Sequence, residues 1–281
     1  MSRIQHSLHS RDVGVGRNAA PTASVPGAPG TLISRGGFIS GPNGNQIVMP
    51  GPNHVAIFDD FAGINTVAPN VSMWSMLEGT DSATSAEVQS AAKGGVLLMT
   101  TGDAGTGFAA DACQMVNGLH WYAENGGLRI QARVKLSAIT TCTAFIGFTD
   151  LAATLEQSIL YATGTTYTTN ASDACGFLFD TASTADKWCL TGVAADVDAT
   201  MEELTVAPVA DTYETFAVEL STAGAATFFR NGAQVGNVMT GAVTPSVALT
   251  PTIYVSKLSV AASMTMSVDY INVSMRRGVA I

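Results

Sequence analysis

GLRIQARVKLS, residues 127–137, alternates without a fault. Leu128, Ile130, Ala132, Val134 and Leu136 interleave with Arg129, Gln131, Arg133, Lys135 and Ser137. Successive side chains of a β-strand point to opposite faces, so one apolar row beside one polar row marks a strand with a dry side and a wet side. Antiparallel sheets with one solvated face supply that setting. RNGAQVG (230–236) adds the turn chemistry: Asn231-Gly232 tolerates the positive φ of a two-residue hairpin, and it lies between ATFFR and AQVGNV, both of strand composition.

Outward from these stretches the same signals repeat. CTAFIGFT (142–149), ACGFLFD (174–180), KWCLTGV (187–193), YETFAVEL (213–220) and TIYVSKLSV (252–260) read as strands. In MTMSVDYINVSM (264–275) the apolar phase runs through Met264, Met266, Val268 and Tyr270, then switches to Ile271, Val273 and Met275. A bulge near Tyr270, or burial of both faces, accounts for the switch. Two stretches, 82–93 and 151–158, have the composition for about two helical turns each. No βαβ alternation occurs, so the prediction is an all-β antiparallel sandwich over 56–281.

The 281 residues include 13 Lys and Arg against 22 Asp and Glu, a net charge of −9. Only 12% of residues are charged, about half the usual share. The charge is divided unevenly: residues 1–37 hold Arg3, Arg11, Arg17 and Arg35 against Asp12 alone, leaving a net −12 for the remainder. A body of that sign repels phosphates, so no nucleic-acid partner is expected. Residues 1–55 differ in kind. NAAPTASVPGAPG and FISGPNGNQIVMPGPNH are rich in Pro and Gly and poor in apolar bulk, so the segment reads as an extended arm that takes its order from a partner. Ile33, Phe38, Ile39, Ile47, Val48 and Met49 are its candidate apolar anchors, with Arg11, Arg17 and Arg35 as polar clamps. No apolar run has the length of a signal peptide or a membrane span, so no membrane contact is expected either.

The segments AIFDDFAG, GGLRIQARVKLS, ETFAVELSTAGAATFFRNGAQVGNV and SMTMSVDYINVSMRRG, in that order, resemble the opening, central, back-sheet and closing strands of a concanavalin A-like (laminin G-like) jelly roll. With GFLFDTASTADKWCLTGV between them, the combination is similar to virion structural proteins of tailed bacteriophages. That resemblance implies a non-enzymatic structural protein, a capsid decoration (cement) protein on the outer surface of the particle, made in the host cytoplasm. Its arm would dock on the major capsid protein or other virion proteins. A homo-oligomer follows, with a trimer matching the threefold sites of capsids. The alternative is a head-fibre or tail adsorption module that binds host polysaccharide.

Candidate chemistry is sparse. Related glucanases place their carboxylates on one strand face as E-x-D-x-E or E-x-D-x-x-E, and no Glu here is followed by Asp two residues on. The expectation is therefore no catalysis. Trp121 and Tyr122, beside His120, form an aromatic cluster that suits sugar stacking. Asp196, Asp198 and Glu202, with Glu203 adjacent, offer an incomplete oxygen set for calcium, the one candidate cofactor. Cys113, Cys142, Cys175 and Cys189 contain no C-x-x-C pair, which excludes the usual zinc spacing. Cys175 and Cys189 flank a turn and stand close enough in sequence to face one another, while a reducing compartment favours buried free thiols. Arg230 and Asn231-Gly232 have no acid or base beside them in sequence, so that hairpin reads as scaffold.

Overall fold

The computed structural model describes backbone and side chains of residues 53–62, 73–89, 94–103, 110–159, 167–258 and 262–278, and the backbone of 33–35, 38–40, 46–48, 160–163 and 166. Three short strands stand in the N-terminal segment: Ile33–Arg35 (β1), Phe38–Ser40 (β2) and Gln46–Val48 (β3), an antiparallel meander. The body begins with His54–Asp59 (β4), Ser75–Glu78 (β5), Ser85–Val88 (β6), Leu97–Thr100 (β7), Ala112–Val116 (β8), Leu128–Leu136 (β9) and Cys142–Thr149 (β10). Next come Ile159–Thr163 (β11), Thr166–Thr169 (β12), Ala174–Asp180 (β13), Trp188–Ala194 (β14), Val197–Asp198 (β15) and Glu202–Glu203 (β16). Glu214–Leu220 (β17), Ala226–Arg230 (β18), Ala233–Met239 (β19), Thr250–Lys257 (β20) and Thr265–Arg276 (β21) complete it.

Two antiparallel sheets result. Sheet I runs β19-β18-β17-β9-β21-β7-β6, with β4 also on β21; sheet II runs β15-β14-β13-β10-β20-β8-β5, with β16 also on β14. This is the antiparallel jelly-roll sandwich that the alternation predicts. β9 lies between β17 and β21, its even-numbered residues buried against sheet II and Arg129, Arg133 and Lys135 facing out. The phase switch in β21 is a bulge: the register shifts between Val268 and Tyr270, which leaves Asp269 outside the ladder.

An aromatic cluster fills the space between the sheets. Phe216 sits 4.8 Å from Phe177 and 4.5 Å from Trp188, and Phe228 meets Phe177 edge-on at 5.4 Å. Trp121 belongs to this core at 2% exposure. A second apolar cluster lies on the far side of sheet II, where Phe145, Leu178, Cys189, Val193 and Tyr254 are buried beneath Leu151, Leu155, Ile159, Tyr167 and Ala171. Strands β10, β13 and β20 are consequently buried along their whole length. Hydroxyl and amide pairs engage polar side chains there: Gln157 Nε2 donates to Thr143 Oγ1, Ser158 Oγ to Thr149 Oγ1 at 2.8 Å, and Gln114 Nε2 to Thr252 Oγ1 at 3.0 Å.

Neither predicted helix forms among the described residues. Residues 85–88 pair with β7, and the Ala86 N–H donates to Glu78 Oε1 at 2.8 Å, so tertiary pairing overrides helix propensity. Residues 151–158 lie across sheet II instead, with Thr149 Oγ1 accepting the Leu151 N–H. The short helix present is a 3-10 turn at Ala123–Asn125. All four cysteines are free and buried. Cys175 points into the inter-sheet core and Cys189 into the second cluster, opposite faces of sheet II that no disulfide joins. In the arm, Ile33, Arg35, Phe38, Ile39, Ile47 and Val48 fall on the three strands. Their side-chain roles, with Arg11, Arg17 and Met49 altogether, lie outside the described residues.

Candidate functional site: a groove at the sandwich rim

A groove opens where the β16 and β14 rim of sheet II meets the β18–β19 rim of sheet I. Glu202, Glu203, Leu204, Val206, Glu214, Arg230, Asn231, Val235 and Gly236 line one lobe of 380 Å³. A second lobe of 540 Å³ is lined by Thr200, Met201, Glu202, Asn237, Val238 and Thr240. Glu202 lines both.

The Asn231-Gly232 turn builds one wall. Both residues have positive φ, 53° and 82°, as the two-residue hairpin requires. Asn231 clamps the neighbouring strand, its N–H donating to Thr215 O at 2.7 Å while its Oδ1 accepts the Thr215 N–H at 2.9 Å. Arg230 is thereby held beside β17. Its Nε donates to Glu214 Oε1 at 2.8 Å, its Nη1 to Val206 O at 2.7 Å, and its Nη2 lies 2.5 Å from Glu214 Oε1. With side-chain exposures of 9% and 13%, this is a nearly buried ion pair whose guanidinium also anchors the 206–207 loop. Charge-assisted bonds of this kind are short and directional, so the pair fixes the groove's floor.

The opposite wall depends on a bulge. The β18–β19 register shifts between Ala226 and Phe228, which frees the Asn237 N–H from the ladder. That N–H donates to Glu202 Oε2 at 2.9 Å, and Asn237 Nδ2 lies 3.3 Å from the same oxygen. Gly236, at φ 64°, makes the approach feasible, because a Cβ there would stand 2.3 Å from Leu190 Cδ1 and 3.0 Å from Glu202 Cδ. Glu202 is thus a carboxylate with one oxygen restrained, on a residue that lines both lobes. Chemically the groove offers acceptors, a guanidinium, amides and short apolar faces, a lining suited to a polyhydroxylated ligand.

Other predicted sites fall elsewhere. Trp121 is not a stacking platform: its ring is core, its Nε1 donates to Asn117 Oδ1 at 3.1 Å, and Tyr122 beside it is half-buried. The calcium set does not assemble. Asp196 occupies a turn at φ 62° and Asp198 pairs with Val193, whereas Glu202 pairs with Leu190 further along β14 and faces the groove. Among the described residues no three His, Cys, Asp or Glu gather to hold a metal. Thiol nucleophiles are also unavailable, since burial pushes the Cys142 thiol up to about 12, and those of Cys113 and Cys175 higher still. A separate carboxylate pair, Asp150 and Asp173, has structural duties: Asp173 accepts the N–H groups of Thr244 and Ala195. Arg230 and Asn231, read from sequence as scaffold, do line the groove. Reasoning along the sequence missed Glu214, Gly236 and Asn237, because the contacts that give them meaning run between strands.

No protein-family model matches the sequence, and neither does any curated protein. Solved structures do share the fold. Bacillus licheniformis β-glucanase matches with a TM-score of 0.53 at 10% identity, covering 78% of this chain and 97% of that one. An endo-1,3-β-glucanase from Streptomyces sioyaensis matches with 0.51 at 14%, covering 80% and 97%. A protein from work on the endo-acting O-glycanases with which members of the human gut microbiota initiate mucin breakdown matches with 0.52 at 11%, covering 78% and 98%. The chain therefore has a concanavalin A-like jelly-roll fold. These likenesses overturn the expectation of a non-enzymatic phage capsid-decoration protein, since the matched folds belong to carbohydrate-active proteins and nothing links the chain to virions. The exclusion of catalysis falls with it. Absence of E-x-D-x-E rules out one arrangement on one strand, whereas this groove collects Glu202, Glu203 and Glu214 from β16 and β17.

Proposed function

We propose that this chain is a carbohydrate-active protein that takes a polysaccharide segment into the two-lobed rim groove. The observation that carries the reading is Glu202, restrained by Asn237 and shared by both lobes, in a sandwich of the fold that glucanases use. A polymer crossing from one lobe to the other passes this carboxylate, and its hydroxyls meet the Asn231 and Asn237 amides. Hydrolysis is the second reading, favoured by Glu202 and Glu214 lining one lobe. Glycosidic cleavage needs an acid and a base or nucleophile flanking the bond. Glu202 and Glu214 are the pair to test, because Glu203, next to Glu202 on β16, points to the opposite face of the strand.

The test is binding of β-1,3-glucan, β-1,3-1,4-glucan and mucin O-glycan oligosaccharides by calorimetry, with release of reducing ends followed in parallel. Binding of at least one glycan is expected, weakened about tenfold or more in Glu202→Gln, since hydrogen bonds to charged groups contribute roughly 1.5–3 kcal/mol. Loss of reducing-end release in Glu202→Gln or Glu214→Gln, with the fold intact by thermal melt, would assign the catalytic reading. A protein that neither binds nor cleaves any of these glycans removes the proposal.

A further inference from the structure

The two outer faces of the sandwich are not alike. That of sheet II lies beneath Leu151, Leu155, Ile159, Tyr167 and Ala171, whereas that of sheet I carries no second apolar cluster among the described residues. On it the β9 row of Arg129, Gln131, Arg133 and Lys135 runs between two pairs of rings. Phe58 and Tyr270 stack at 6.0 Å on the β4–β21 side. On the β17–β18 side, Tyr213 has Arg133 at 4.3 Å and Lys135 at 5.4 Å, and Phe229 has Arg129 at 5.9 Å. Phe58 is 50% exposed, the single aromatic among the large hydrophobics exposed in the described residues. Gln131 Nε2 donates to the Tyr270 hydroxyl at 2.8 Å, which locks ring and amide into one surface.

Every cation of the row is matched. Arg129 pairs with Glu219 at 2.9 Å, Arg133 with Asp269 at 2.6 Å and Lys135 with Asp211 at 3.8 Å. In a chain of net charge −9, this face cancels its own charge. It has no field to attract a polyanion or a polycation. Nor does it present the contiguous apolar core that a protein interface needs, since the Phe58–Tyr270 stack is divided from Tyr213 and Phe229 by paired charges. An uncharged polyol chain suits it: sugar C–H faces lie on the rings, and hydroxyls reach the Tyr270 hydroxyl and the exposed edges of the ion pairs, while the buried Gln131 amide holds Arg129 and Tyr270 in place.

We infer that the outer face of sheet I is a second polysaccharide-binding surface, separate from the rim groove, which takes neutral glycan chains across the β9 row between Phe58–Tyr270 and Tyr213. It anchors the protein on extended or particulate polymer and leaves the groove free. The experiment is retention of the full chain on particulate neutral β-glucan and on immobilised dextran sulfate, with Phe58→Ala, Phe58→Trp, Tyr213→Ala and Glu202→Gln compared. Expected are retention on the neutral particles only, a loss of about tenfold or more in Phe58→Ala and Tyr213→Ala, recovery in Phe58→Trp, and a smaller loss in Glu202→Gln than in either alanine variant. Folding of each variant is checked by its thermal melt. Full retention by both alanine variants, or wild-type preference for dextran sulfate, overturns the inference. Loss in Glu202→Gln alone would place all binding in the groove, so failure here and failure of the groove reading give different patterns.

Discussion

Asp150 shows what a half-buried carboxyl does to stability. Its Oδ2 accepts the Asp173 N–H at 3.2 Å, its Oδ1 has no partner, and burial pushes its pKa above the ordinary 3.8, the neighbouring Asp173 adding to the rise. A carboxyl with a folded-state pKa above its unfolded value binds its proton more tightly when folded. That contribution to stability is full below about 3.8 and is lost as pH climbs through the folded value. Asp150→Asn should therefore raise the melting temperature at pH 7 by on the order of 1–2 °C and give no gain near pH 3, a difference read from paired thermal melts. At this scale the sequence speaks only where chemistry is local. Asn231-Gly232 is legible because its φ demand lies in two adjacent residues. Trp121 is not, because only the facing sheet decides whether an indole is core or platform, and Phe58 escapes notice for the same reason.

Among the elements, the β10–β13 pair carries the tightest constraint. Gly147 and Gly176 stand opposite one another in register, and a Cβ on Gly176 would lie 2.5 Å from Ile146 O and 2.7 Å from the Phe145 ring. Gly176→Ala must push a ladder carbonyl or displace Phe145, which is itself packed under the second cluster. A loss of about 2 kcal/mol or more is expected, seen as a lower denaturant midpoint with an unchanged slope. The strands were mostly readable, since alternation in β9 and the phase switch in β21 are consequences of period two. The failed helices at 82–93 and 151–158 had composition on their side and lost to partners distant in sequence. So did the groove: Glu202, Glu214, Arg230 and Asn237 belong to β16, β17, β18 and β19 and meet only when two rims close.

For the molecule as a whole, the inter-sheet core among the described residues is built from positions that follow the arm. The Arg277 N–H donates to Asn53 O at 3.0 Å, so the body's own closure begins at that residue. A chain lacking residues 1–52 should fold and melt within about 3 °C of the full-length protein, checked by calorimetry and near-ultraviolet circular dichroism. A collapse of the melt would make the N-terminal meander an integral part of the sandwich.

The covering of sheet II by Leu151, Leu155, Ile159, Tyr167 and Ala171 carries a consequence for how such a chain can acquire new partners. A layer walled in on both sides has every side chain already spoken for, so β10, β13 and β20 can accept no new binding chemistry without losing their packing. Variation is left to the margins and to the opposite sheet, the two places where carboxylates, amides and rings stand in reach of solvent.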